Sequence, residues 1–166
     1  QWAQQILEMG PEKNYFGFAY SAAVLANAIG EPLELRLNGK KPASLGVGLQ
    51  GTIIIRGNLG KETGHSMPGG YIFVGGNVDQ IKKPMGGVIY VNGDVGEIEE
   101  LYSGVLIVAG KIKKVSKEWM LDSFTPVKPS PFVFTSEPVE LFGYSGDHGG
   151  KTPLEQSLVL SKDELG

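Results

Sequence analysis

Between residues 33 and 115 the chain repeats one alternation of apolar and polar positions, each copy closed by glycine. The frame Gly-x-apolar-x-apolar-x-Gly fits residues 51–57, 70–76, 87–93 and 104–110, and residues 33–39 form a copy without the opening glycine. The closing residues Gly39, Gly57, Gly76, Gly93 and Gly110 lie 18, 19, 17 and 17 residues apart. A strand and a glycine turn recurring at this interval predict a solenoid, in which each unit is buried only by its neighbours. Successive side chains of a strand point to opposite faces. The third and fifth positions therefore share a face, and they read Leu35 and Leu37, Ile53 and Ile55, Ile72 and Val74, Ile89 and Val91, Leu106 and Val108. Stacked about 4.8 Å apart, these aliphatic residues form the ladders of a β-helix core. Leu59, Val78, Val95 and Ile112, one after each turn, add a further inward column, and Asn58, Asn77 and Asp94 are expected to stack as a polar ladder at the corner.

The opposite face is also apolar. Its fourth positions are Arg36, Ile54, Phe73, Tyr90 and Ile107, and its second positions are Glu34, Thr52, Tyr71, Val88 and Val105. A strand apolar on both sides is normally covered on both sides. Cover is expected from the N-terminal helical region, the C-terminal tail or a partner, and Ile54, Phe73, Tyr90, Ile107 and Tyr71 form a candidate interaction surface.

The flanks lack the repeat. Residues 2–9 read as a short helix stopped by Gly10 and Pro11, and residues 18–30 as a helix apolar almost all round, ending on Gly30. A helix without a wet face belongs inside a protein, so residues 1–32 are read as a helical cap on the first coil. Residues 33–115 are the β-helix, a mainly β solenoid of about five coils. After Val115 come Pro126, Pro129, Pro131 and Pro138, with possible strands in "FVFT" and "VELF" and an apolar "LVL". Residues 116–166 are read as an extended wrap or tail.

Composition narrows the function. At 166 residues and 41% hydrophobic, the chain suits one core. A net charge of -3 gives no basic field, so a nucleic-acid partner is not expected. No apolar run approaches the roughly 20 residues of a membrane helix, and a membrane role is not expected either. The absence of cysteine excludes disulfides, iron–sulfur clusters and thiolate zinc sites carried by these residues, and fits a cytoplasmic location. The histidines are His65, read as a surface turn residue, and His148. Tyr144, Asp147, His148 and Lys151 lie close in a glycine-rich loop and are weak candidates for general acid or base work. No activated nucleophile or second carboxylate accompanies them. No spaced ligand set points to a metal, and no Lys-Ser/Thr ending completes a phosphate loop; no cofactor is expected. Met67 and Met85 are read as core fillers.

The runs "GNLGKETGHSMPGGYIFVGGNV" and "IKKPMGGVIYVNGDVG" resemble the GXGXG-repeat domain that closes the large subunit of glutamate synthase and recurs as a separate subunit in the formylmethanofuran dehydrogenase complexes. The likeness covers residues 33–115. It implies a single-stranded right-handed parallel β-helix without chemistry of its own, a structural element beside the catalytic parts of an oxidoreductase. The expected role is a noncatalytic scaffold for a larger assembly or a homo-oligomer, with a small-molecule or enzymatic role at the Tyr144 to Lys151 loop as the alternative. No family active-site residue carries over.

Overall fold

The computed structural model describes residues 15–116, 132–137, 142–145, 150–153 and 157–159. Helix α1 (Tyr15–Ile29) is followed by β1 (Leu33–Arg36), β2 (Thr52–Arg56), β3 (Tyr71–Val74), β4 (Val78–Lys82), β5 (Val88–Val91), β6 (Val95–Glu99), β7 (Val105–Val108), β8 (Phe132–Thr135), β9 (Phe142–Ser145), β10 (Gly150–Pro153) and β11 (Ser157–Val159). The main sheet runs β1-β2-β3-β5-β7-β8-β11 and every neighbouring pair in it is parallel. Together with a second parallel sheet of β4 and β6 it forms a β-solenoid of about four turns, fewer than the five coils counted from the glycine frame.

The alternation places its residues as its chemistry requires. Ile53, Ile72, Ile89, Leu106 and Val133 stand opposite one another, and Ile55, Val74, Val91 and Val108 form the next column. All of them are buried. The first coil differs from the sequence reading by two residues. Leu33 pairs with Ile53 and Leu35 with Ile55, where the frame counted back from Gly39 sets Leu35 beside Ile53. The reason is the turn: Asn38 and Gly39 both have positive φ, and Lys40 N–H closes on Leu37 O at 3.0 Å. This is a tight Asn-Gly turn, whereas Gly57 stands in a longer corner. Leu37 is buried all the same, beneath Gly57.

A second side of the coil was only half legible. Leu59, Val78, Val95 and Ile112 stack as expected, and a column not read from the sequence, Thr63, Ile81, Ile98 and Val115, runs beside it. A third inward column is Met67, Pro84 and Leu101, all buried. Met85 is not a core residue: it is 37% exposed, because Pro84 takes the inward place one position earlier and Met85 follows Pro68 on the outside.

The corner ladder forms. Asn77 N–H donates to Asn58 Oδ1 at 2.8 Å, Asp94 N–H to Asn77 Oδ1 at 2.8 Å and Lys111 N–H to Asp94 Oδ1 at 3.0 Å. This explains the closing glycines. A Cβ on Gly76 or Gly93 would strike the Oδ1 of the asparagine one coil back, and the backbone of that coil as well. No side chain fits.

Helix α1 packs on β1 and β2. Phe18, Ala19, Ala22, Ala23 and Ala26 join the solenoid core. A Cβ on Gly51 would strike Ala26 O, just as one on Gly70 would strike Gly51 O, so the helix end takes the place of a preceding coil. The helix is apolar almost all round, as the sequence indicates, but it is not enclosed all round: Phe16, Tyr20 and Val24 lie outside. The expected short helix at residues 2–9 falls outside the described residues. "FVFT" is β8, Phe142 of "VELF" opens β9, and Leu158 and Val159 of "LVL" end β11, the other residues of these runs lying outside the described ones.

Candidate functional site

The solenoid has two unlike outer surfaces. On the main sheet, register puts Ile54, Phe73, Tyr90, Ile107 and Phe134 in one row and Thr52, Tyr71, Val88, Val105 and Phe132 in the next. Parallel in-register stacking of unlike copies makes this surface, because each coil contributes one residue per row. The ring centroids of Tyr71 and Phe73 are 6.4 Å apart, and those of Phe73 and Tyr90 are 6.2 Å apart. Tyr71 is 49% exposed, Phe73 39% and Phe132 44%, while Ile54, Tyr90 and Ile107 are half-buried. The five residues singled out from the sequence are therefore brought onto one face. Among the described residues, the expected cover from the chain's own flanks is incomplete, since Tyr71, Phe73 and Phe132 remain open to solvent. Phe132 and Phe134 extend both rows. Their alternation was legible, but the 27-residue step from Leu106 to Val133 hid their place in the stack.

The first coil ends these rows with charge. Glu34 stands in the Ile54 row and accepts from both Arg36 and Arg56 at 3.4 Å. The Arg56 guanidinium, with Arg36 beside it, holds the Glu34 carboxyl below the usual carboxylate range.

The β4–β6 side is polar and satisfies itself. Lys82 meets Glu99 at 3.3 Å, Lys83 meets Glu100 at 2.8 Å, Lys114 meets Glu97 at 2.6 Å and Lys41 meets Asp79 at 3.0 Å. Each pair joins different coils. The hydrogen bond from Lys114 lowers the Glu97 pKa, and the same contact raises that of Lys114. Asp94, at the end of the corner ladder, is lowered first by the backbone N–H of Lys111 and then by the Lys113 charge. Exposed pairs of this kind contribute little singly. Their effect here is to leave this surface with its charges already matched.

A depression of about 360 Å³ lies where α1 ends, lined by Ala26, Asn27, Glu31, Gln50 and Thr52 among others. Its central side chain is already engaged. Asn27 Oδ1 accepts from Gln50 N–H at 2.7 Å and Gly51 N–H at 2.8 Å, and its Nδ2 donates to Gly48 O at 3.0 Å. We read it as the seam between helix and first coil.

Of the weak catalytic candidates, Tyr144 and Lys151 are register partners in the antiparallel pair β9–β10, and Asp147 and His148 lie outside the described residues. His65 is partly exposed in a turn, its N–H bonded to Glu62 O at 3.1 Å. Among the described residues no three metal-ligating side chains converge, and no helix is long and apolar enough to cross a membrane. No protein-family model, curated protein or solved structure matches this chain.

Proposed function

We propose that the chain is a noncatalytic structural or protein-interaction module, a right-handed parallel β-helix closed at its first coil by α1. It scaffolds a larger oxidoreductase-type assembly, or oligomerises, through the outward face of its main sheet. The observation that carries this reading is the contrast between the two surfaces. One side matches its charges across coils, while the other presents two apolar rows with Tyr71, Phe73 and Phe132 open. Contiguous apolar patches of this kind tend to be interaction sites. Right-handed winding follows the preference of parallel crossover connections, and the glycine-repeat resemblance supplies the type of assembly.

Affinity capture from the native cells, with the wild-type chain and Phe73→Glu in parallel, tests the reading. Catalytic oxidoreductase chains recovered in stoichiometric amount with the wild type and lost with Phe73→Glu are the expected result. Recovery of the chain alone would overturn the scaffold reading.

A second reading, a small-molecule or enzymatic role around Tyr144 and Lys151, draws on their paired positions in β9 and β10. It requires a ligand-induced thermal shift that Lys151→Ala abolishes.

A further inference from the structure

The dipeptide Asn-Gly occurs twice in the chain, at Asn38–Gly39 and at Asn92–Gly93, and the stack holds the two differently. Asn-Gly is where a peptide nitrogen most readily attacks a side-chain amide, because glycine sets no Cβ in the way and lets the backbone rotate. At Asn92–Gly93 both neighbouring coils oppose that rotation. Asn92 N–H donates to Val74 O at 2.9 Å and Gly93 N–H to Gly76 O at 3.0 Å, while Gly93 O accepts from Gly110 N–H at 3.2 Å. The nitrogen that would attack is thus a donor in the corner ladder, and turning its peptide breaks bonds to the coil before and the coil after.

Asn38–Gly39 belongs to the first coil, which has no coil before it. Both residues are exposed, and a Cβ on Gly39 would meet nothing within 4 Å. Among the described residues, neither the Asn38 side chain nor the Gly39 N–H has a hydrogen-bond partner. The turn is closed from outside the pair, by Lys40 N–H on Leu37 O at 3.0 Å. Its residues have φ of 49° and 83°, a region glycine adopts freely and asparagine only tolerates, so little holds this turn shut. We infer that Asn38 is a site of self-modification, at which the Gly39 nitrogen closes on the side-chain carbonyl carbon and the side-chain amide leaves as ammonia. The bond from Gly39 N to Asn38 Cγ forms, the bond from Cγ to Nδ2 breaks, and the proton of the Gly39 nitrogen departs with the ammonia. Water then opens the five-membered imide, and no oxidant or reductant takes part. Opening at Cγ leaves aspartate. Opening at the main-chain carbonyl leaves isoaspartate, with the chain rerouted through Cβ and Cγ and longer by one carbon. Either product adds a carboxylate to a chain of net charge -3, and isoaspartate also changes the spacing that brings Lys40 N–H to Leu37 O, next to the buried Leu37 side chain.

The full chain, kept folded in warm and mildly alkaline buffer, then digested and mapped by mass spectrometry, tests the inference. Each conversion makes its peptide heavier by one mass unit, and electron-transfer fragmentation separates isoaspartate from aspartate. Residue 38 should convert about tenfold or more faster than residue 92, whose peptide must first leave its cross-coil bonds. In urea beyond the unfolding transition the ladder is gone and the two rates should converge. Asn38→Gln, whose longer side chain must close a larger and slower ring, should remove the acidic product from ion exchange with the circular dichroism unchanged. Equal rates at residues 38 and 92 in the folded chain would overturn the inference. So would a residue 92 that stays slower by the same factor in urea, or a residue 38 that folding protects as strongly as residue 92.

Discussion

Replacing Gly93 by alanine puts one methyl group where the corner ladder has no room. An ideal Cβ there would lie 2.8 Å from Gly76 O and 2.9 Å from Gly76 C, and would also strike Asn77 Oδ1. Two of these three neighbours are backbone, so rotation of a side chain cannot relieve the contact; the coils must separate locally. Separation weakens the Gly93 N–H to Gly76 O bond at 3.0 Å and the Asp94 N–H to Asn77 Oδ1 bond at 2.8 Å. Overpacking strain of about 1–3 kcal/mol and two hydrogen bonds at about 1 kcal/mol each give an expected loss of roughly 3–5 kcal/mol. Gly39→Ala is the control. Its Cβ meets nothing within 4 Å, but φ is +83°, so only the dihedral penalty applies, about 1–2 kcal/mol. Urea unfolding followed by far-ultraviolet circular dichroism measures both. Adding Asn77→Ala to Gly93→Ala removes the side-chain part of the clash, so the double variant should be less destabilised than the sum of the singles. A Gly93→Ala loss equal to or below that of Gly39→Ala would refute the steric reading of the closing glycines.

Met67→Ala should cost about 2–5 kcal/mol as a fully buried deletion, while Met85→Ala, at an exposed site, should stay within about 0.5 kcal/mol; equal losses in urea melts would contradict the column of Met67, Pro84 and Leu101. Asp94 and Glu97 have lowered pKa values in the folded chain. The unfolded chain then binds more protons, and their contribution is present above the ordinary carboxylate range and lost as pH falls through the lower folded values. Thermal midpoints should therefore be level through neutral pH and fall in acid, and Glu97→Gln should flatten part of that fall; an unchanged profile would count against the Lys114 contact as its cause.

What the sequence made legible depends on how uniform each column is. The Ile53 and Ile55 columns are aliphatic in every coil, and alternation alone located them. The column of Thr63, Ile81, Ile98 and Val115 opens on a polar residue, and that of Met67, Pro84 and Leu101 mixes three chemistries. Only their recurrence at 17 residues, from 81 to 98 to 115 and from 67 to 84 to 101, marks them. The register of the first coil was misread because a closing glycine was used as the anchor, while Gly39 belongs to a different kind of turn from Gly57, Gly76 and Gly93. On the candidate face, Ile54, Phe73, Tyr90, Ile107 and Tyr71 were legible from the period-two pattern. The open side of α1 at Phe16, Tyr20 and Val24 was not, since a run taken from Phe18 omits Phe16, and which side stays open emerges only once the inner alanines are known to be buried.

The corner ladder gives the stack a natural unit of length. Each rung is a glycine followed by an Asx residue whose side chain accepts from the next rung, at Gly57 and Asn58, Gly76 and Asn77, and Gly93 and Asp94. Excising residues 77–93 would join Gly76 directly to Asp94, so a Gly-Asx rung would still meet the chain at that corner. Val105 would then follow Tyr71 up the outer row and Leu106 would follow Ile72 in the core. A chain built this way can be lengthened or shortened by whole coils in its interior while α1 and the C-terminal strands keep the partners they have, so its span can be tuned separately from its ends.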